Sequence, residues 1–240
     1  MAKKSGKKGG GSRNVTDARG ARVRVKTARG RKLSSTLWLE RQLNDPYVAE
    51  ARRLGYRGRA AFKLAEIDDK HNLLKPGSRI VDLGCAPGGW TQVALQRCGS
   101  GARVVGIDLL ECDPIPGAIL MTGDFMDDDA PDRLKSALGG QADIVLSDMA
   151  ANTTGHPKTD HLRIVALVET AYAFAQEVLA PGGAFVAKVF SGGTEGSLLN
   201  VLKLDFERVF HMKPPSSRKE SPEMYVVALG FRRKDDNQDG

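Results

Sequence analysis

The chain of 240 residues has the length of one domain with an appendage, and 41% hydrophobic against 27% charged is the composition of a globular protein with a sizeable core. No run approaches the roughly 18 apolar residues of a membrane helix, and Met1-Ala2-Lys3-Lys4 opens no apolar signal segment, so neither a membrane span nor a secretory leader is expected. The formal charge of +7 comes from residues 1–32, where twelve Lys/Arg against the single acid Asp17 give +11, while residues 33–240 sum to −4.

Residues 1–35 read as a disordered basic tail, because a Gly/Ser/Lys/Arg segment cannot bury enough apolar surface to offset its ordering entropy. Its cations can replace phosphate counterions, so a nucleic acid is the expected partner; a solubilising segment is the plainer alternative. One folded domain is expected over 36–235. Residues 36–56 read as a helical lead-in, and Arg52, Arg53, Arg57 and Arg59 extend the basic character. Ala61, Leu64, Ala65 and Ile67, then Leu73-Leu74, fit a helix that Pro76-Gly77 ends. Strand Arg79–Leu83 follows, then a glycine loop and a helix to Arg97. Val104–Ile107 and Ala118–Met121 are the next strands, Pro131–Leu138 a short helix, and Asp143–Leu146 the fourth strand. Ile164, Leu167, Val168, Ala171, Phe174, Ala175 and Val178 predict a long helix over Leu162–Leu179. Strand Ala184–Ala187 comes after Pro181-Gly182-Gly183, and the end reads helix Ser197–Leu204, strand Phe206–Met212, loop, strand Tyr225–Phe231. Apolar strands alternating with helices mean an α/β, doubly wound, mostly parallel sheet covered on both faces. The last two strands are joined without a helix, so an antiparallel strand is expected at the edge.

The loop Gly84-Cys85-Ala86-Pro87-Gly88-Gly89-Trp90 leaves the first strand and opens a helix, where glycines let a ligand approach the backbone. It is not GxGxxG, and it lacks the GK[ST] of a phosphate loop. Asp108, Asp124 and Asp148 each follow a predicted strand, which places all three at the carboxyl edge of the sheet, where open α/β folds bind ligands. Taken singly, each is more often a turn residue; with the loop, they outline a pocket. An acid-rich edge suits S-adenosylmethionine, which has ribose hydroxyls and a cationic end and no phosphate, better than a dinucleotide. Cys85, Cys98 and Cys112 form no CxxC pair, so no disulfide or zinc site is expected and a reducing cytosol is. His71, His156, His161 and His211 lack metal spacing.

Phe62-Lys63-Leu64, VDLGCAPGGW, GIDLL, GDF, SDMAAN, APGGAFVAKVF and SSRKESPEMYVVALG, in this order over about residues 36–232, resemble the FtsJ/RrmJ (RlmE) family of 2′-O-ribose methyltransferases. The resemblance implies the class I S-adenosylmethionine-dependent methyltransferase fold and a cytoplasmic enzyme. Bacterial members methylate a uridine of 23S rRNA late in assembly of the large ribosomal subunit; relatives act on tRNA or on viral mRNA caps. The family's Lys-Asp-Lys-Glu tetrad falls on Lys63, Asp148, Lys188 and Glu223, and its cofactor contacts on Gly88, Trp90, Asp108, Asp124 and Asp148. Two features depart from the pattern. Cys85 stands where alanine is common, and the tail is longer than in compact members.

Lysine is an unpromising base at a pKa near 10.4 and needs burial or a neighbouring cation to release its proton. On this reading Lys63 lowers the proton affinity of Lys188, and Asp148 and Glu223 orient both cations. Lys188 deprotonates or aligns the 2′-hydroxyl, and Lys63 holds the ribose and its phosphate edge. Asp148-Met149-Ala150-Ala151 does not match the tetrapeptide of amino-methylating enzymes, and no cysteine follows the fourth strand for C5-methylation. A tRNA 2′-O-methyltransferase and a non-catalytic ribosome-assembly factor on the same fold stay as alternatives. A monomer is expected, since no apolar repeat demands a partner.

Overall fold

A computed structural model describes residues 33–151, 154–190 and 196–232. The basic tail lies outside these, except that the first helix, α1 (Leu33–Leu43), already includes its last three residues. The end of the expected domain, 233–235, lies outside them as well. The lead-in divides into α1 and α2 (Pro46–Arg53). Asp45 caps α2 by accepting from the Tyr47 backbone N–H at 3.0 Å, and Pro46 occupies the first turn, where its missing N–H costs nothing.

The alternating part follows as α3 (Ala60–His71), β1 (Arg79–Leu83), α4 (Gly89–Cys98), β2 (Arg103–Asp108), β3 (Ala118–Thr122), α5 (Ala130–Leu138), β4 (Ala142–Ser147), α6 (Pro157–Val178), β5 (Leu179–Phe190), α7 (Gly196–Asp205), β6 (Phe206–Met212) and β7 (Glu223–Phe231). Two boundaries move. Helix α6 begins five residues before the apolar periodicity because Pro157 and Asp160 form a good first turn, and β5 runs back through the Pro-Gly-Gly to Leu179.

The seven strands lie in the order β3-β2-β1-β4-β5-β7-β6. Neighbours among β1–β5 are parallel, and β7 slots antiparallel between β5 and β6, which is the antiparallel strand expected at this end. The period-2 alternation sends Val81 and Leu83 to one face, with Phe185 and Ala187, against α5 and α6. It sends Ile80 to the other, with Leu146, Val186 and Tyr225, beneath α3 and α4. Strand order reverses between β1 and β4, so the loops after these two strands diverge around the crevice where doubly wound sheets bind ligands.

Candidate active site

The loop after β1 is shaped by glycine. Gly84 has φ +80°, and a Cβ there would lie 2.8 Å from the Met149 backbone nitrogen, so only glycine lets this loop pass the one after β4. Gly88, at φ +106°, precedes α4 without a side-chain cap, leaving first-turn N–H groups directed at the loop. Asp108 ends β2. Its Oδ2 accepts from the Ala86 N–H and its Oδ1 from the Leu110 N–H, both at 2.9 Å. Asp124, after β3, accepts from the Met126 N–H at 2.9 Å in a short turn.

The four charged residues of the expected tetrad meet beside this loop, and strand register explains why. Lys188 of β5 stands opposite Tyr225 of β7, and Phe190 opposite Glu223, so Glu223, Tyr225 and Lys188 share one face. Ser147 pairs with Ala187, which brings Asp148, the next residue, alongside Lys188. Lys63 comes from α3, which covers that face. Trp90 docks α3 here: its indole N–H donates to the Ala60 carbonyl at 2.9 Å, and its ring lies 5.5 Å from that of Tyr225.

The Lys188 ammonium donates to the Asp148 carbonyl at 2.8 Å and lies 2.9 Å from Asp148 Oδ1 and 4.0 Å from Glu223 Oε1. Lys63 Nζ donates to Glu223 Oε2 at 3.0 Å and stands 5.6 Å from the centre of the Tyr225 ring. Tyr225 donates its hydroxyl to Asp148 Oδ1 at 2.6 Å. Lys63 and Lys188 are only 9% and 6% exposed, so neither is a surface lysine reaching for water. Burial by itself would raise the Glu223 carboxyl, but the Lys63 and Lys188 cations and hydrogen bonds from Lys63 and Ser221 hold it below the usual carboxylate range. Burial, with the Asp148 charge, pushes the Tyr225 phenol well above its ordinary value, so it remains a donor. Two cations and two carboxylates thus form a closed, charge-balanced cluster, the condition for keeping such groups out of water.

Of the expected cofactor residues, Gly88, Asp124 and Asp148 lie on loops at the carboxyl edge, and Asp108 is the last residue of β2 at the same edge. Trp90 contributes differently: its indole is 3% exposed and belongs to the core, which leaves its backbone, in the first turn of α4, as the part facing the loop. Sequence reasoning passed over Asp82. It sits wholly buried in β1, accepts from the Thr91 hydroxyl at 2.7 Å, and has no partner for Oδ1. Burial, reinforced by the Asp148 and Asp108 charges and opposed by Thr91, pushes its carboxyl up to about 7. The signal was present: an acid inside Ile-Val-Asp-Leu contradicts a purely structural strand. Nothing in the sequence marks Tyr225 as more than a strand residue or Arg57 as more than a basic one.

A surface groove of about 500 Å³, lined by Arg79, Arg103, Gly117 and Ile119, lies at the opposite end of β1–β3 and carries none of these residues. Among the described residues no cluster of three His, Cys, Asp or Glu could hold a metal, and no helix is long and apolar enough to cross a membrane.

The family described as FtsJ-like methyltransferase matches residues 56–231. The chain is 66% identical over 228 residues to the ribosomal RNA large subunit methyltransferase E of Paramagnetospirillum magneticum, covering 93% of this chain and 91% of that one. It is 62% identical over 221 residues to the protein of the same name from Rhodospirillum rubrum, covering 90% and 84%. A crystal structure of a ribosomal RNA methyltransferase from Plasmodium falciparum matches 73% of this chain and 98% of its own with 33% identity and a TM-score of 0.66. With the glycine loop, the acid edge and the lysine–carboxylate cluster in place, these matches settle the family: the chain belongs to the FtsJ-like methyltransferases.

Proposed function

We propose that this methyltransferase moves a methyl group from S-adenosylmethionine to a ribose 2′-hydroxyl of ribosomal RNA, a uridine of 23S rRNA in the large ribosomal subunit, and that it works in the cytoplasm. The observation that carries this reading is the convergence of Lys63, Asp148, Lys188 and Glu223 within hydrogen-bonding and ion-pair reach beside the glycine loop. A base methylated through a covalent intermediate would need a nucleophilic thiol. Cys85 is 3% exposed, and burial pushes its thiol far up, so it does not supply one.

The residues present fit the cofactor. Asp108 is held by two backbone N–H groups, which fix its direction while each oxygen keeps a lone pair for a vicinal ribose diol. Asp124, at the same edge, would take an amino group, and the acid edge disfavours a pyrophosphate. When bound, S-adenosylmethionine supplies an electrophilic methyl on a sulfonium. The chain's own groups then prepare the acceptor. Lys188, fixed by both the carbonyl and the carboxylate of Asp148, aligns the 2′-hydroxyl and handles its proton, a role worth about 10²–10⁴ in rate. Lys63, tethered to Glu223, holds the ribose and its phosphate edge. Tyr225 keeps Asp148, and through it Lys188, in place.

Mass-spectrometric mapping of 2′-O-methyl nucleosides, with and without the gene, tests the reading. One 23S rRNA ribose methyl should disappear. Intact rRNA together with a lost tRNA ribose methyl would move the activity to tRNA.

A further inference from the structure

We propose that Arg57 is a positioning residue for the cofactor: it clamps the connector between β2 and β3 against the glycine loop and so sets how tightly the cofactor is held. This rests on the S-adenosylmethionine reading above. Residues 109–117 join β2 to β3 and carry Pro114 and Pro116, which have no N–H to build local structure. The connector is bonded at its two ends, from the Leu110 N–H to Asp108 Oδ1 at 2.9 Å and from the Ala118 N–H to the Ile115 carbonyl at 3.0 Å. Leu109 and Leu110 are 67% and 69% exposed, so burial does little to fix the start of the segment.

Arg57 fills the middle. Its Nη1 donates to the Asp113 carbonyl at 2.6 Å and to the Pro87 carbonyl at 3.2 Å, and its Nη2 to the Pro114 carbonyl at 2.9 Å. One planar cation thereby ties the connector to the residue before Gly88. The fit is close: a Cβ on Gly88 would lie 2.6 Å from Ile115 Cδ1 and 3.1 Å from Arg57 Nη1. The clamp has a firm base on α4, which carries Gln92 and Gln96: the Arg57 N–H donates to Gln92 Oε1 at 2.8 Å, Gln92 donates back to the Gly55 carbonyl at 3.0 Å, and Tyr56 donates to Gln96 at 2.7 Å. Arg59, two residues on, reaches the other way, to Asp45 and the Ser216 carbonyl, on the loop that leads to Glu223. Two arginines one residue apart therefore serve the two halves of the site, Arg57 the donor pocket bounded by Asp108 and the loop, and Arg59 the acceptor side.

Guanidinium suits this task because it stays charged and spreads several donors in one plane, which an ammonium cannot copy. Calorimetry with S-adenosylhomocysteine on the full chain tests it, with melting of the cofactor-free protein and binding to large ribosomal subunits measured in parallel. Arg57→Ala should raise the Kd for S-adenosylhomocysteine by about tenfold or more, because the freed connector must then be ordered when the cofactor binds, and Arg57→Lys by less. Subunit affinity should stay close to wild type, and the rise in Kd should exceed what any fall in folded fraction, read from melting of the cofactor-free variant, accounts for, which a general structural defect would not allow. Wild-type cofactor affinity in Arg57→Ala, with or without weaker subunit binding, overturns the proposal. Should the alanine variant not fold, wild-type affinity in Arg57→Lys overturns it equally. A wild-type chain that does not bind S-adenosylhomocysteine overturns the cofactor reading and this proposal with it.

Discussion

Lys188 is buried between β4 and β7 with Asp148 gripping its ammonium twice, so truncating it removes the group proposed to handle the proton and leaves two carboxylates short of a cation. Lys188→Ala should slow single-turnover methyl transfer by about 10²–10⁴. Lys188→Arg separates two versions of the role. Arginine cannot lose a proton near neutral pH, so it should be nearly as slow if Lys188 acts as a base, and should recover much of the rate if it only positions the oxygen. Affinity for S-adenosylhomocysteine should hold in both. Asp108 is the reverse case: Asp108→Ala should weaken cofactor binding by about 1.5–3 kcal/mol, the worth of hydrogen bonds to a charged group, and unchanged calorimetry would remove it from the site. At this scale the sequence named residues better than it named side-chain duties. Lys63, Asp148, Lys188 and Glu223 are scattered over 160 positions, and no periodicity joins them; motif resemblance did. It could not show that the Trp90 indole faces the core, because that depends on the Ala60 carbonyl and the Tyr225 ring supplied by other elements.

At the scale of elements, strands and helices with strong apolar patterns were readable, and errors gathered at their ends. The split between α1 and α2 hangs on the Asp45 cap and Pro46, and the early start of α6 on Pro157, both local signals outside the apolar stripe. The order of strands was not readable, since nothing in β7 alone says that it inserts between β5 and β6. Strand β1 carries its own test. Asp82 faces α4 from inside the sheet, and burial raises its carboxyl to about 7, against about 3.9 in an unfolded chain. Between these values the folded chain holds a proton that the unfolded chain has released, so stability is greatest at the acid end and falls as pH rises to about 7. Asp82→Asn keeps an acceptor for Thr91 and removes the titration. Melting of the cofactor-free variant should lose this fall between pH 4 and 7. A variant that keeps the wild-type slope would place the titration elsewhere.

Over the whole molecule, charge is partitioned: +11 in residues 1–32 against −4 in the remainder. The acidic remainder suits a cationic cofactor, and the basic segment suits a polyanionic acceptor. Deleting residues 1–32 should flatten the salt dependence of binding to RNA and leave the single-turnover rate at saturating RNA unchanged; an identical salt slope would show that the tail makes no phosphate contacts. One proposal depends on residue, sheet and charge together, that this fold brings a lysine pair to a ribose hydroxyl of large-subunit RNA. Its most direct test supplies methyl-labelled S-adenosylmethionine to unmethylated large ribosomal subunits and digests the RNA to nucleosides. The wild-type chain should place the label in a single 2′-O-methyl nucleoside of 23S rRNA, and Lys188→Ala should place almost none there in the same time. Label on a base, or equal labelling by the variant, would show that the lysine pair does not serve a ribose hydroxyl.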